Sequence, residues 1–480
     1  MRNRVGVLVA LAGVVGGLFL PTTAAAEPTR NTLSARAFDE FSARAATDTG
    51  LPGVSVVITR DGQIVHAAGY GHDSTGAPIT AHTPMRVASL TKAFTAMAVM
   101  TLVEDGAIGL DRPVADQLPE FRTADPRSDR ITVRQLLNQT SGLSDRGADI
   151  GATATAGSLQ QYTATLRTAT LTAEPGTRWA YTNVNYNLAA RLVEVASGSD
   201  FGEFVRQRIF TPLGMPDSAL DDDTITPAAG FNSLFGQWIA RDELPGFLDG
   251  SGSGGVITTA ADLGRWLITH SGDGPQLVRP ENLALMHAPT PVRDYGMGWG
   301  LDSDHGAPLI THSGNLFTYT SAAALDPSTG YGFAVLVNSA ALHDDAYEIL
   351  TGLVALGRGE HPAPLVDTRS RIEALLVAVI AGALGLGIAG VVRSRRWADR
   401  RRRSRWWWTV LRCLPAAAPI ALFAAFPQAL SVLMNGRTVT WAQLTYFPAP
   451  LTITLLICAF AGAATLTARL LRLRSLGSLR

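Results

Sequence analysis

Lysine is all but missing from this chain of 480 residues: of its 40 basic side chains every one except Lys92 is arginine. Arginine keeps its proton at any accessible pH, so the single position that departs from the rule asks for an amine that can lose one. Cysteine is nearly as scarce. The 2 cysteines, Cys413 and Cys458, both fall in apolar runs near the C-terminal end, which leaves the rest of the chain with neither a disulfide framework nor a thiol nucleophile. Stability there must come from core packing, which about 345 residues readily supply. Charge is sparse as well, at 17% of residues, and the formal balance of +0 hides a division. Residues 27–371 hold 24 basic against 38 acidic side chains, whereas from residue 372 onward 14 arginines face only Glu373 and Asp399. The acidic excess of the first part argues against nucleic acid as a partner.

Long apolar runs are plentiful. The N-terminus has two arginines, an apolar run over residues 5–20, Pro21, and Ala24 and Ala26 at the spacing of a signal-peptidase site, so residues 1–26 are expected to be an export signal. Three further runs, 372–392, 411–434 and 450–471, each come close to the roughly 20 residues that span a bilayer. The segment between the first two, "RSRRWADRRRRSRWWW", is crowded with arginine, as is the tail, while the loop between the second and third has only Arg437. By the positive-inside rule the arginine block and tail are cytoplasmic and the segment before residue 372 is outside, with Trp406, Trp407 and Trp408 at the membrane interface. The expected localisation is thus a multi-pass membrane protein with residues 27–357 extracytoplasmic, a linker at 358–371, and a membrane region at 372–480.

Within the exported part, "LSARAFDEFSARAATDTG" has helical spacing and "GVSVVITRDGQIVHAAGYG" reads as two strands around the turn Asp61-Gly62. Residues 83–293 are mainly helical and loop-like. Strand patterns return in "YGMGWGLD", "LITHSG", "TYTSAAALD" and "YGFAVLVNS", and "HDDAYEILTGLVAL" is a closing helix. The fold class this predicts is α+β, an antiparallel sheet flanked by helices with an inserted α-rich region.

In "PMRVASLTKAFTAMAVMTLVEDG" apolar residues surround Ser89 and Lys92 on nearly every side, the pattern of a helix buried all round. Residues three apart share a helix face, so hydroxyl and amine would be neighbours. Burial disfavours the ammonium form and makes the amine a proton acceptor for the serine. Taken alone, Ser-x-x-Lys is a weak signal. Other chemistry has less support. His66, His72 and His82 lack metal-ligand spacing, Asp221, Asp222 and Asp223 do not fit a calcium loop, and no Gly-x-Ser-x-Gly elbow surrounds Ser89. No metal or other cofactor is expected.

Two further stretches add weight: "PGTRWAYTNVNYNLAARLVEVASG", with Tyr181 and Asn183 just before a helix, and "ITHSGN", with His312, Ser313 and Gly314 at a strand end. With Ser89-Leu90-Thr91-Lys92, Tyr181-Thr182-Asn183 and His312-Ser313-Gly314 in this order, residues 33–357 resemble the serine β-lactamase and penicillin-recognising peptidase superfamily. The similarity is to the branch of class C β-lactamases, D-alanyl-D-alanine carboxypeptidases, D-aminopeptidases and esterases. The resemblance implies that Ser89 is the acylated nucleophile, that Lys92 exchanges its proton, and that Tyr181 serves as base or proton shuttle. It implies further that Asn183 binds the substrate amide, that the backbone N–H groups of Ser89 and Asn315 form an oxyanion hole, and that His312 faces the site from the strand edge. Histidine where β-lactamases have lysine removes a permanent positive charge for a substrate carboxylate and points to peptidase or esterase chemistry. Gln139 stands where many relatives have histidine. The expected function is a membrane-tethered serine hydrolase of D-alanyl peptides or related amides and esters, a small-molecule or peptide substrate in either case. Its alternatives are a β-lactamase or esterase of the same family, a slowly deacylating sensor signalling through the membrane helices, and an inactive scaffold.

Overall fold

The computed structural model describes residues 35–480 apart from 245, 247–249, 304, 305, 402, 403, 435 and 478–480. The expected export signal lies outside the described residues. Helix α1 (Ala35–Thr49) leads into strands β1 (Gly53–Arg60) and β2 (Gln63–Gly71), joined by Asp61 and Gly62 at φ 48° and 72°, the pair of left-handed residues that a tight hairpin turn needs. An α-rich region follows. It contains α2 (Thr91–Glu104), α3 (Asn183–Ser197), a hairpin of β3 (Gly230–Leu234) and β4 (Gln237–Arg241), and α4 (Ala260–Ser271). The chain then returns to the sheet through β5 (Gly300–Asp302), β6 (Leu309–Asn315), β7 (Thr320–Asp326) and β8 (Tyr331–Val337), and closes with α5 (Asp345–Gly357).

The six-stranded sheet has the order β2-β1-β8-β7-β6-β5, antiparallel throughout. Alternate side chains of its central strands feed two separate cores. Val54, Val56 and Ile58 of β1 and Phe333 and Val335 of β8 pack under α1 and α5 with Phe38, Ile349 and Leu353. Val57 and the opposite face of β8, Ala334 and Leu336, join α2, α3 and α4 in the larger core. Each such aliphatic or aromatic side chain, fully buried, contributes on the order of 2 kcal/mol from the water it leaves. As its unbroken apolar pattern predicts, α2 has no solvent face: Thr91 to Leu102 are all buried.

The expected order of elements is thus observed, with added strands: Met85–Arg86 pairs antiparallel with Ile257–Thr258, and Ser339–Ala340 pairs parallel with β3. The hairpin β3–β4 lies inside the stretch expected to be helical and loop-like, and its turn, Phe235 and Gly236, carries positive φ at both residues.

Three long apolar helices close the chain. Helix α6 (Thr368–Val392) starts inside the expected linker, capped by Asp367, whose carboxylate accepts from Ser370 N at 2.8 Å. The run expected at 411–434 is instead α7 (Trp406–Ala424) followed after a break by α8 (Phe426–Leu433). Pro427 accounts for the break, since it has no N–H to donate and crowds the backbone before it. The three tryptophans therefore form the first turn of α7 rather than a flank. Helix α9 (Ala449–Gly477) packs between the others, with Gly387 and Gly390 of α6 against its Ala461 and Thr465, and its Gly462 against Ala416 of α7. Small residues let these backbones approach closely. Helices α6, α7 and α9 are long and apolar enough to cross a membrane, and they expose Leu386 (76%), Ile388 (66%) and Phe460 (67%), a surface suited to lipid.

Candidate active site

Ser89 sits in a tight 3₁₀ turn, Ala88–Leu90, at the entrance to α2, and Ala88 adopts φ 50°, a left-handed conformation a β-carbon disfavours. The turn is held against the sheet by Ser321 of β7, whose hydroxyl donates to Val87 O at 2.8 Å, and by Gly314 of β6. A Cβ on Gly314 would fall on Val87 O and Ser321 Oγ and lie 3.0 Å from Ala88 Cβ. Glycine is thus what lets the end of β6 reach the serine.

One turn after Ser89, at the second residue of α2, Lys92 is completely buried. Its Nζ lies 3.0 Å from Ser89 Oγ, 3.0 Å from Asn183 Oδ1 and 2.7 Å from Ser253 O. Burial, reinforced by the positive charge of Arg437 and partly offset by Asp145, holds this amine well below the ordinary lysine range. The geometry agrees with a neutral amine. Asn183 Oδ1 and the Ser253 carbonyl can only accept, so they take its two N–H groups and leave its lone pair towards the Ser89 hydroxyl. On the other side of Ser89, Tyr181 O–H donates to Oγ at 2.8 Å. Burial raises the Tyr181 phenol above its ordinary value, against the opposing effects of Arg437 and the Ser89 hydrogen bond, so it keeps its proton. The serine oxygen thus stands between a base and an acid.

The turn bearing Tyr181 is fixed by Gln139, which adopts φ 62°. Its Oε1 accepts from Thr182 N at 3.2 Å and Asn185 Nδ2 at 2.6 Å, its Nε2 donates to Thr182 O at 3.2 Å, and its carbonyl accepts from Ala180 N at 2.9 Å. Thr182 then caps α3 by accepting from Val184 N, and donates to the buried Asp145 at 2.7 Å. Gln139, whose consequence the sequence left open, is the clamp that holds the Tyr181–Asn183 turn.

His312 is buried on β6. Its Nδ1–H donates to Ser313 O at 2.7 Å, which leaves Nε2 to accept from Tyr295 O–H at 3.1 Å. Burial, with a further contribution from Lys92, lowers it to about 4, so the ring is neutral near pH 7. Its ring centroid is 6.4 Å from that of Tyr181. Ser313 is half-buried beside it, and exposed Asn315 ends the strand with its amide 3.4 Å from Asp344 Oδ2. Ser89, Asn183 and Asn315 line one cavity of about 500 Å³. The structure brings Ser89, Lys92, Tyr181 and Asn183 into direct contact, with Gly314 packed on the Ser89 turn, Asn315 in the cavity wall and the His312 ring beside Tyr181. Among the described residues, Ser313 meets this group only through its carbonyl, which accepts from His312.

It also adds residues the sequence did not point to. Asp145, Ser253 and Tyr295 are drawn in by tertiary packing. The cavity is also lined by residues from α8 and the segment between α8 and α9: Leu430, Met434, Arg437 and Phe447.

Residues 35–355 match the Beta-lactamase family. The chain belongs to this family. Among relatives, it is 27% identical over 300 residues to Protein flp of Staphylococcus aureus (strain COL), a match covering 60% of this chain and 60% of that protein. It is 29% identical over 325 residues to penicillin-binding protein 4 of Amycolatopsis lactamdurans, covering 61% and 82%. The chain thus spans 60% of the length of the staphylococcal relative. Among solved structures, the octameric penicillin-binding protein homologue from Pyrococcus abyssi superposes with TM-score 0.60 at 25% identity, over 71% of this chain and 82% of that one. A D-amino acid amidase from Ochrobactrum anthropi SV3 complexed with L-phenylalanine amide does so with TM-score 0.55 at 26% identity, over 67% and 97%. The α+β fold expected from the sequence is that of the Beta-lactamase family, and helices α6 to α9 lie beyond the matched residues.

Proposed function

We propose that this protein is a serine hydrolase that cleaves an amide or ester through an acyl-enzyme on Ser89, with D-alanyl peptides as the first substrate class to test. The observation that carries this is the short chain from Lys92 through Ser89 to Tyr181, at 3.0 and 2.8 Å. As Ser89 Oγ bonds to the carbonyl carbon, its proton passes to the neutral Lys92 amine. The backbone N–H groups of Ser89 and Asn315 hold the resulting oxyanion. When the C–N or C–O bond breaks, Tyr181 gives its proton to the leaving atom and is reprotonated from Lys92. Water then repeats the sequence in reverse to release the acyl group. Asn183, with its oxygen committed to Lys92, has its N–H₂ for the substrate carbonyl. Relatives named as penicillin-binding proteins and a D-amino acid amidase support this class.

The membrane helices anchor the catalytic domain outside the cell in this reading. Support comes from the arginine distribution and from the loop between α8 and α9, which lies against the catalytic domain and would share its side of the membrane. The same contact favours a second reading, a slowly deacylating sensor, which a burst without steady turnover would reveal.

The test uses the full chain in detergent or nanodiscs with a fluorescent penicillin and a fluorophosphonate. Ser89→Ala is expected to abolish covalent labelling, and undiminished labelling would refute the assignment. Turnover of a D-Ala-D-Ala peptide, a β-lactam and a short-chain ester then separates peptidase, β-lactamase and esterase.

A further inference from the structure

The loop that joins the last two apolar helices reaches the pocket beside Ser89. Gly436, at φ 88°, packs so closely on Arg146 that a Cβ would lie 2.7 Å from its Nε. Thr438 N donates to Asp145 Oδ2 and its hydroxyl to Asp145 O, both at 3.3 Å. Between these two anchors, Arg437 lays its guanidinium 5.5 Å from the centre of the Tyr181 ring and its Nε 3.6 Å from Asp145 Oδ2. Its side chain is 32% exposed and lines the same cavity as Ser89 and Asn183.

The chemistry of that position is specific. Arginine offers five donors in a planar fork suited to carboxylates. The ion pair with Asp145, 3.6 Å from Nε to Oδ2, is too long for a firm hydrogen bond, and the Asp145 oxygens are already shared with Thr182 and Thr438. The Tyr181 ring, 5.5 Å away, is within cation–π reach and takes up none of the guanidinium's hydrogen-bond donors. Among the described residues no group accepts a hydrogen bond from its Nη atoms. The other titratable groups at the nucleophile supply no cation: the amine of Lys92 is committed to three partners and His312 is bonded through both ring nitrogens.

We infer that Arg437, contributed by the membrane region, is the anion-recognising residue of this active site and selects substrates that carry a carboxylate close to the scissile bond. The inference rests on the hydrolase reading above. It makes the segment between the second and third apolar runs part of the substrate pocket rather than a simple connection between membrane spans.

The experiment measures kcat/KM of the full chain in nanodiscs for aryl esters in matched pairs, identical except that a carboxylate in one is a primary amide in the other. One series carries the group on the acyl part and a second on the leaving alcohol. Wild type is expected to prefer the carboxylate at least tenfold in one series. Arg437→Ala should reduce that preference about tenfold or more, mainly through KM, Arg437→Lys should restore part of it, and Arg437→Glu should reverse it. Arg437 is also a charge near Lys92, but an effect through Lys92 alone would shift both members of a pair together and leave the preference as it was. A preference within twofold of wild type in Arg437→Ala overturns the inference. So does a wild-type protein that treats both members alike, a result that needs no variant to fold. Absence of all ester turnover and of Ser89 labelling would instead sink the hydrolase reading itself.

Discussion

Ala88 and Gly314 meet where the left-handed turn before Ser89 presses on the last residues of β6, and the missing side chain of Gly314 is what lets the two backbones touch. The strand end and the nucleophile turn are therefore one packed unit. Gly314→Ala must push β6 away from Ser89. We expect a loss of about 1–3 kcal/mol in stability from overpacking, seen as a lower Tm, together with a larger drop in kcat than in KM. Wild-type kcat in a folded variant would show that the contact does not position the strand for catalysis.

Lys92 sets the acid limb of the pH profile. Its folded-state pKa is lowered well below the ordinary value, so the neutral amine that accepts the proton predominates near neutrality and is lost as pH falls through that lowered pKa. The Tyr181 phenol is raised, so its proton is retained beyond the ordinary value of 10.0. The acylation rate is expected to rise through the acid range and hold a plateau to alkaline pH. Lys92→Arg keeps the charge but cannot accept the proton, and should lower acylation by roughly 10²–10⁴-fold. A wild-type rate that climbs only above pH 10, where an unperturbed lysine titrates, would remove Lys92 as the base.

Gln139 acts through Tyr181 rather than on the substrate. Gln139→Ala leaves Thr182 N and the Asn185 amide without their buried acceptor, at about 1–3 kcal/mol for each group. The expected result is a lower Tm and a fall in kcat of roughly tenfold with KM little changed. Gln139→His supplies one acceptor again and should recover part of kcat; equal losses in the two variants would reduce Gln139 to a packing residue.

At the base of α6, Arg369 and Glu373 are buried against the hairpin β3–β4. Arg369 donates to Ser233 Oγ at 2.9 Å and lies over the Trp238 ring, while Glu373 takes the Ser233 hydroxyl and Gly236 N. Arg369→Ala leaves a carboxylate without its cation in a dry site, a change that costs about 3–5 kcal/mol. Limited proteolysis should then cut between residues 358 and 367 several times faster. Unchanged protection would mean that the junction is held by other contacts.

Some of this could be read from the sequence and some could not, for identifiable reasons. The Ser89–Lys92 pair was legible because three residues on a helix bring two side chains together and the apolar flanks announced burial. Tyr181, Asn183 and His312 came from the family resemblance, since nothing local ties positions so far apart in the chain. Asp145 was invisible as a site residue because tertiary packing alone brings it there, and Gln139 stood out only as a departure from the family, its clamping role set by contacts far apart in the chain. The hairpin β3–β4 was missed because Phe235 occupies a left-handed turn position where asparagine or aspartate would have signalled it. Arg437 left a trace, a lone cation in an otherwise uncharged loop, but counting charges for topology gave it no chemistry.

That single ε-amine has an experimental consequence. The folded protein offers acylating reagents such as succinimidyl esters no reachable lysine, since Lys92 is sealed at 0% exposure. Apart from the chain's own amino terminus, amine modification should report the opening of the core around α2. The same scarcity would let a stoichiometric amine label serve as a clock for unfolding, with the amino terminus as its one background signal.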